Sequence, residues 1–173
     1  MPLDLLVVPR SRRPVLALVL GREVRKGREH LEVVAEDGAR FRFPAEQALA
    51  RAVLDGPEGV PAVEALRVLR EHLPPFGGWL VLRSKVTDGA ELSLAEAAAQ
   101  AGLVGTDAVL RVALGLEGAS PWFRRKGTGL VAVPMRDALA RLIEQRLAAL
   151  REAGDAALLA WWPRRSGGVP TGW

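Results

Sequence analysis

Two neighbouring segments decide the fold of this chain: SLAEAAAQAGLVGTDAVLRVAL at Ser93–Leu114 and PWFRRKGTGLVAVP at Pro121–Pro134. In the first segment, Ser93 followed three residues later by Glu96 is the capping-box pattern that begins a helix. A glycine-containing turn separates this helix from a second one, which predicts a helix-turn-helix. The second segment is typical of a strand, a Gly-rich turn and a return strand. A hairpin directly after a helix-turn-helix predicts a winged helix.

Upstream of these segments, residues 1–56 have the pattern of a small β-barrel. The expected strands are Leu5–Val8, Val15–Val24, His30–Ala35, Arg40–Phe43 and Val53–Leu54. Glycines in Arg25-Lys26-Gly27 and Glu36-Asp37-Gly38 supply tight hairpin turns. Short strands, tight turns and one small core predict a small, strongly bent barrel rather than a wide sheet.

The rest of the chain divides at a Pro- and Gly-rich breaker that follows the last predicted strand. We expect a connecting helix in residues 57–75, the winged helix-turn-helix in residues 76–134, and a C-terminal helix and tail in residues 135–173. The long helix carries one apolar face, formed by Leu139, Leu142, Ile143, Leu147 and Leu150. The predicted fold class is therefore α+β: a small N-terminal β-barrel, then a winged helix-turn-helix, then a long C-terminal helix.

Composition excludes several classes of site. The 173 residues include no cysteine and two histidines, so disulfides, thiolate metal sites and histidine-rich metal sites are excluded. No cofactor is expected. A cytoplasmic protein without membrane contact is expected, because no signal-peptide pattern and no apolar run of membrane-spanning length is present. Lys and Arg number 24 against 20 Asp and Glu, and this net charge of +4 permits contact with phosphates.

The basic hairpin is the most suggestive candidate site. Arg124, Arg125 and Lys126 lie in a stretch without acidic residues, and guanidinium groups bind phosphate oxygens in a fork geometry. Trp122 is a candidate for stacking on a nucleobase. The alternatives are that the hairpin is merely solvated and that its aromatic side chains pack the small core.

Two further basic sets belong to the predicted nucleic-acid-binding surface. Arg111 lies on the second helix of the helix-turn-helix, the recognition element if DNA is the partner, although that helix offers few side chains for reading bases. Arg25, Lys26 and Arg28 surround a hairpin of the predicted barrel, where they would track phosphates or simply protect a sheet edge. The basic residues expected to share this face are Arg10, Arg12, Arg13, Arg22, Arg40 and Arg42.

The sequence offers no catalytic constellation. The acidic pair Glu36-Asp37 is explained by its turn, and neither His30 nor His72 lies beside an obvious serine nucleophile. Lys126-Gly127-Thr128 lacks the glycine-lysine-serine/threonine ending that a phosphate-binding P-loop requires. No catalytic residue and no metal ligand is therefore assigned.

Several short motifs occur in an order that resembles the N-terminal region of ribonuclease II-type exoribonucleases. The hairpin Trp122–Val131 is similar to a segment that follows a helix-turn-helix in that family, and Leu92–Ala98 looks like its first helix. The opening strands, with Val15–Val19 and Leu31–Gly38, are similar to a small barrel ahead of the helical module. The order matches over most of residues 1–153.

The resemblance implies a non-catalytic role: binding single-stranded RNA and feeding it into 3′-to-5′ degradation. The catalytic domain of the family holds magnesium with clustered aspartates, and the aspartates of this chain match no such cluster. A catalytic ribonuclease domain is therefore a further expected partner, and whether the protein is an enzyme stays open. The alternative functions are a DNA-binding winged-helix regulator, with the long helix as a dimer seam, and a winged-helix module that binds other proteins.

Overall fold

The structure, a computed structural model, describes residues 1–10 and 13–165. Arg12 and the predicted tail beyond residue 165 lie outside the described residues. The strands are β1 (Pro2–Arg10), β2 (Arg13–Arg25), β3 (Arg28–Ala35), β4 (Arg40–Pro44), β5 (Ala50–Asp55), β6 (Glu91–Leu92), β7 (Phe123–Lys126) and β8 (Gly129–Ala132). The helices are α1 (Ala62–His72), α2 (Trp79–Ser84), α3 (Leu94–Gln100), α4 (Ala108–Leu114) and α5 (Met135–Arg165). The α+β prediction is confirmed.

The first five strands form one antiparallel sheet in the order β4-β3-β2-β1-β5. A bulge between Val19 and Gly21 interrupts the pairing of β2 with β3, and bulges of this kind bend and twist a sheet. The sequence predicted a small, strongly bent barrel. Within the described residues no pairing joins β4 to β5, so no closed barrel is formed. The chain leaves β4 at Pro44, passes through a 3₁₀ turn at Ala45–Gln47, and crosses to the far edge, where β5 pairs with β1.

Both faces of this sheet are buried at its centre. Successive side chains of a strand point to opposite faces, yet Leu5, Leu6, Val7 and Val8 are all fully buried. One face carries a core of Leu6, Val8, Ala17, Leu31 and Val33, packed by residues of the strands and of the 3₁₀ turn region. Helices α1 and α4 contact the strands and cover the other face.

The helices α2, α3 and α4 and the strands β6, β7 and β8 follow as a second layer. The three short strands pair in the order β6-β8-β7. The expected capping box begins α3, since the Ser93 hydroxyl accepts from the backbone N–H of Glu96 and the Glu96 carboxylate accepts from that of Ser93. Buried Trp79 donates from Nε1 to the carbonyl of Gly115 at 3.0 Å and packs edge-on against Phe76 and Phe123.

Helix α4 joins this layer to the five-stranded sheet. It contacts β1, β2 and β5, and none of its residues is exposed: Ala108, Leu110, Val112, Ala113 and Leu114 are buried, and the other two are half-buried. Because of this packing, Met1–Met135 form one compact unit. The predicted boundaries within residues 1–134 remain predictions.

The chain from Arg136 onward is a second unit and contains nearly all of α5. Its predicted apolar stripe is present, with exposed side chains at Leu139, Leu142, Ile143, Leu147 and Leu150. Across the part of the chain that the structure describes, no helix combines the length and apolarity needed to cross a membrane.

A substitution at Gly115, which caps the end of α4, tests the packing of the helical layer. A Cβ atom at this position would lie 2.2 Å from the carbonyl oxygen of Phe76 and 2.8 Å from its amide nitrogen. These are backbone atoms that cannot move aside, so we expect Gly115→Ala to lower the free energy of unfolding by about 2 kcal/mol or more, as overpacking does. Urea denaturation would measure the loss.

The matched control is Gly154→Ala, because Gly154 lies within α5 and a Cβ there would meet nothing within 4 Å. Removing a glycine from an open helix position stabilises that helix by up to about 1 kcal/mol. A wild-type denaturation midpoint for Gly115→Ala would contradict the packing described here.

Candidate nucleic-acid interface

A cleft of about 300 Å³ carries three arginines in its lining. Three elements border it: the ends of β1 and β2, the 3₁₀ turn Leu116–Ala119, and the β7–β8 hairpin. Three arginines line it, namely Arg10, Arg13 and Arg125. The remaining lining is mainly apolar and includes Pro9, Pro14, Leu116, Phe123 and Leu130. We call this the arginine cleft.

Antiparallel register places two of these arginines side by side. Arg10 lies opposite Arg13, and Pro9 lies opposite Pro14, at the end of the β1–β2 pair. Arg10 donates from Nη1 to Asp37 at 2.6 Å, and its guanidinium lies 5.4 Å from the centre of the Phe41 ring. The position of Arg10 is therefore fixed by an ion pair and a cation–π contact, while its side chain stays 42% exposed.

Arg13 and Arg125 approach the cleft from different elements. The Nε of Arg13 lies 3.1 Å from a carboxylate oxygen of Glu117, and the Arg13 side chain is 81% exposed. Arg125 stands on β7 and forms no ion pair with any described residue. It shares a face of β7 with Phe123, so the intervening Arg124 points to the opposite face. The cleft therefore holds guanidinium groups with donors available to a ligand.

Two of the predicted hairpin residues have partners or surroundings that restrict them. Lys126 is exposed and forms an ion pair with Glu91 of the neighbouring β6. Trp122 is only 9% exposed, and its carbonyl accepts from the backbone N–H of Val133 at 3.0 Å. The stacking role predicted for Trp122 does not fit this position, because the small layer uses the indole to fill its core.

The predicted recognition residue, Arg111, is likewise occupied. Its Nε donates to the carbonyl of Pro74 at 3.3 Å, and its Nη1 lies 4.0 Å from Asp107. The helix that carries it, α4, is packed on the sheet and presents no exposed residue. A helix without an exposed face cannot enter a major groove, since groove reading requires side chains that reach base edges.

The basic residues predicted on the barrel hairpin lie at the end of β2 that is away from Arg13. Arg25, Lys26 and Arg28 surround the β2–β3 turn, whereas Arg13 is the first residue of β2. Acidic neighbours neutralise much of this set: Arg25 donates to Glu23 at 2.8 Å, and Arg28 lies 4.0 Å from Glu46. This set therefore lies apart from Arg10 and Arg13, with which the sequence predicted a shared barrel face, and apart from the hairpin arginines.

Between the two ends of β2, the arginines of the five-stranded sheet also pair with acidic side chains. Asp4 accepts two hydrogen bonds from Arg51, at 2.9 and 2.7 Å, and one from Arg22 at 2.5 Å. Arg42 lies 3.5 Å from Glu23. The hydrogen bonds from Arg51, and then the one from Arg22, hold the pKa of Asp4 below its ordinary value. Arginines paired in this way have less to offer a phosphate.

Sequence reasoning missed that Glu117 and Ser120 line the cleft and that Arg125 converges there with Arg10 and Arg13. Arg10 and Arg13 were predicted as part of a barrel face, and Arg125 as part of a hairpin. Their meeting depends on α4 packing against the sheet, which no local pattern reports.

Comparison with known proteins adds no family. No family model, curated protein or solved structure matches this chain.

The charge cluster around Asp4 predicts a pH dependence of stability. Because the folded-state pKa of Asp4 lies below its ordinary 3.8, its contribution is present above about pH 4 and is lost as the pH falls through the lowered value. We expect Asp4→Asn to cost about 1 kcal/mol at pH 7 and to flatten the loss of stability below pH 4. Urea denaturation from pH 7 to pH 2 would measure both effects.

The control for this cluster is Asp55→Asn, which removes an exposed carboxylate without an ion pair among the described residues. An Asp4→Asn variant with the wild-type pH profile would contradict the role assigned to Asp4.

Proposed function

We propose that this chain binds single-stranded RNA in the arginine cleft and presents it to a 3′-to-5′ exoribonuclease of the ribonuclease II type. The observation that carries the proposal is the convergence of Arg10, Arg13 and Arg125 on one cleft with an apolar floor. Guanidinium groups bind phosphate oxygens, and the apolar floor suits the sugar and base between them.

The order of elements supports a winged helix-turn-helix as the second layer. Helices α3 and α4 are followed by the β7–β8 hairpin, and β6 pairs with β8, so that the hairpin extends as a wing from a three-stranded sheet. The bulged β2 and the return of β5 to β1 suit a small, partly open barrel as the first layer. Both assignments are part of the proposal and match the order found in the ribonuclease II type.

Burial of α4 favours a single strand over duplex DNA. In a DNA-binding helix-turn-helix the second helix must reach base edges, whereas α4 lies against β1, β2 and β5 with no exposed residue. A single strand needs no inserted helix, because its backbone can follow a basic groove and its unpaired bases can lie on apolar surface.

The arginines of the cleft and those of the β2–β3 turn provide a matched test. We expect Arg13→Ala combined with Arg125→Ala to weaken binding of a 12-nucleotide single-stranded RNA at least tenfold near 0.1 M salt. The slope of log affinity against log salt should become shallower by roughly 1.4, since each lost contact to a single strand removes about 0.7. Fluorescence anisotropy with labelled RNA would measure both quantities.

The control is Arg25→Ala combined with Arg28→Ala, which removes the same charge at the opposite end of β2. This pair should change the affinity less than about threefold, because its guanidinium groups lie at the other end of β2 and do not line the cleft. Equal losses in both double variants would contradict the cleft. Preference for a defined DNA duplex would favour a transcriptional regulator, and binding to neither nucleic acid would favour a protein-interaction module.

The exoribonuclease part of the proposal has its own test, which is the reading frame beyond codon 173 together with the mass of the native protein. Continuation into an aspartate-rich domain would support delivery of RNA to a catalytic domain of the same chain. A stop codon with a native mass of 18.6 kDa would remove that part and leave RNA binding to be judged by the affinity measurements.

A further inference from the structure

We infer that the arginine cleft holds one ribonucleotide of the bound strand and that Glu117 selects RNA over DNA by accepting a hydrogen bond from the ribose 2′-hydroxyl. This inference rests on the proposed function and names the chemical group that the same site recognises.

Glu117 is the one acidic residue among those that line the cleft. Its carboxylate lines a surface that otherwise carries three guanidinium groups, Ser120 and apolar side chains. A carboxylate repels phosphate and can only accept hydrogen bonds, so the part of a nucleic acid that it faces must be a donor. The 2′-hydroxyl is such a donor on every nucleotide of RNA, and DNA lacks it.

A hydrogen-bonded turn fixes the backbone at Glu117. It lies in the 3₁₀ turn Leu116–Ala119, where the N–H of Gly118 donates to the carbonyl of Gly115 at 2.9 Å. Ala119 is buried, and the Glu117 side chain remains 51% exposed. The turn therefore presents the carboxylate to the cleft from an anchored base.

The ion pair with Arg13 leaves both groups available to a nucleotide. The contact joins Nε of Arg13 to Oε1 of Glu117 at 3.1 Å. The terminal guanidinium nitrogens of Arg13 can then face a phosphate while the carboxylate accepts from the adjoining sugar. Phosphate and ribose alternate along a strand in this same manner, with one sugar between successive phosphates.

The size of the cleft limits it to one nucleotide. About 300 Å³ is at the lower end of the range for ligand pockets, which suits a single nucleotide. The exposed ring of Pro9, opposite Pro14 on the neighbouring strand, offers an apolar contact for the sugar or the base. Selection by Glu117 should therefore act at one position of the strand rather than along its whole length.

The experiment compares three 12-nucleotide probes that differ at the 2′ position alone: oligouridylate, oligodeoxyuridylate and 2′-O-methyl oligouridylate. We expect the wild-type chain to bind oligouridylate about fivefold more tightly than either of the others, as one hydrogen bond of typical net strength at a partly exposed site provides. The methylated probe separates donation from acceptance, because its 2′ oxygen can accept a hydrogen bond but cannot donate one.

The variant Glu117→Gln should reduce this preference to less than about twofold, since a neutral amide oxygen accepts more weakly than a carboxylate. Its affinity for oligodeoxyuridylate should stay the same or rise, because a negative charge has left the cleft. If Glu117 merely positions Arg13, the variant would change the affinity for all three probes by the same factor, and the inference would be wrong.

The matched control is Glu91→Gln, which removes an exposed carboxylate that pairs with Lys126 outside the lining of the cleft. This control should keep the wild-type preference for oligouridylate. Thermal unfolding of both variants checks that they are folded, which the exposure of both side chains favours.

The outcomes separate the inference from the proposed function. Equal wild-type affinity for oligouridylate and oligodeoxyuridylate would overturn selection by Glu117 and leave single-strand binding in place. Absence of binding to all three probes, or an unchanged affinity after replacement of Arg13 and Arg125, would overturn the proposed function and the inference with it.

Discussion

The packing of α4 against the five-stranded sheet is the constraint on which the rest of this structure depends. The helix is short, and a helix of seven residues has little stability of its own. Its stability comes from burying Leu110, Val112, Ala113 and Leu114. The same burial fixes the 3₁₀ turn that follows α4 and thereby places Glu117 beside Arg13. Sheet and helical layer become one unit for this reason.

This packing also decides which functions the helical layer can serve. A helix-turn-helix whose second helix is exposed can enter a DNA groove. In this chain α4 packs against β1, β2 and β5 instead. The surface left to a ligand is the junction between the sheet and the β7–β8 hairpin. Most arginines of the sheet, including Arg10 and Arg13 of the cleft, are paired with acidic neighbours, whereas Arg125 at the junction is without such a partner among the described residues.

Local patterns predicted the elements of this chain well. Strands β1 to β5, β7 and β8 overlap the predicted strands, and Ser93 and Glu96 form the expected capping box, whereas no pattern predicted the short β6. Relations between distant elements could not be predicted in the same way. An open sheet and a closed barrel share one strand pattern, and they differ only in where β5 pairs. The burial of Trp122 and the meeting of Arg13 with Arg125 are consequences of tertiary packing, for which the sequence carries no periodic signal.

The most direct test of this account is the site of contact with RNA, mapped by NMR on the whole chain of 18.6 kDa. Backbone amide shifts would be followed while oligouridylate is added at low salt. The account predicts that the largest changes fall at Arg13, in the turn Leu116–Ala119 and on β7, with small changes at the β2–β3 turn and in α4. Changes concentrated in Arg25–Arg28 or along α4 would contradict it.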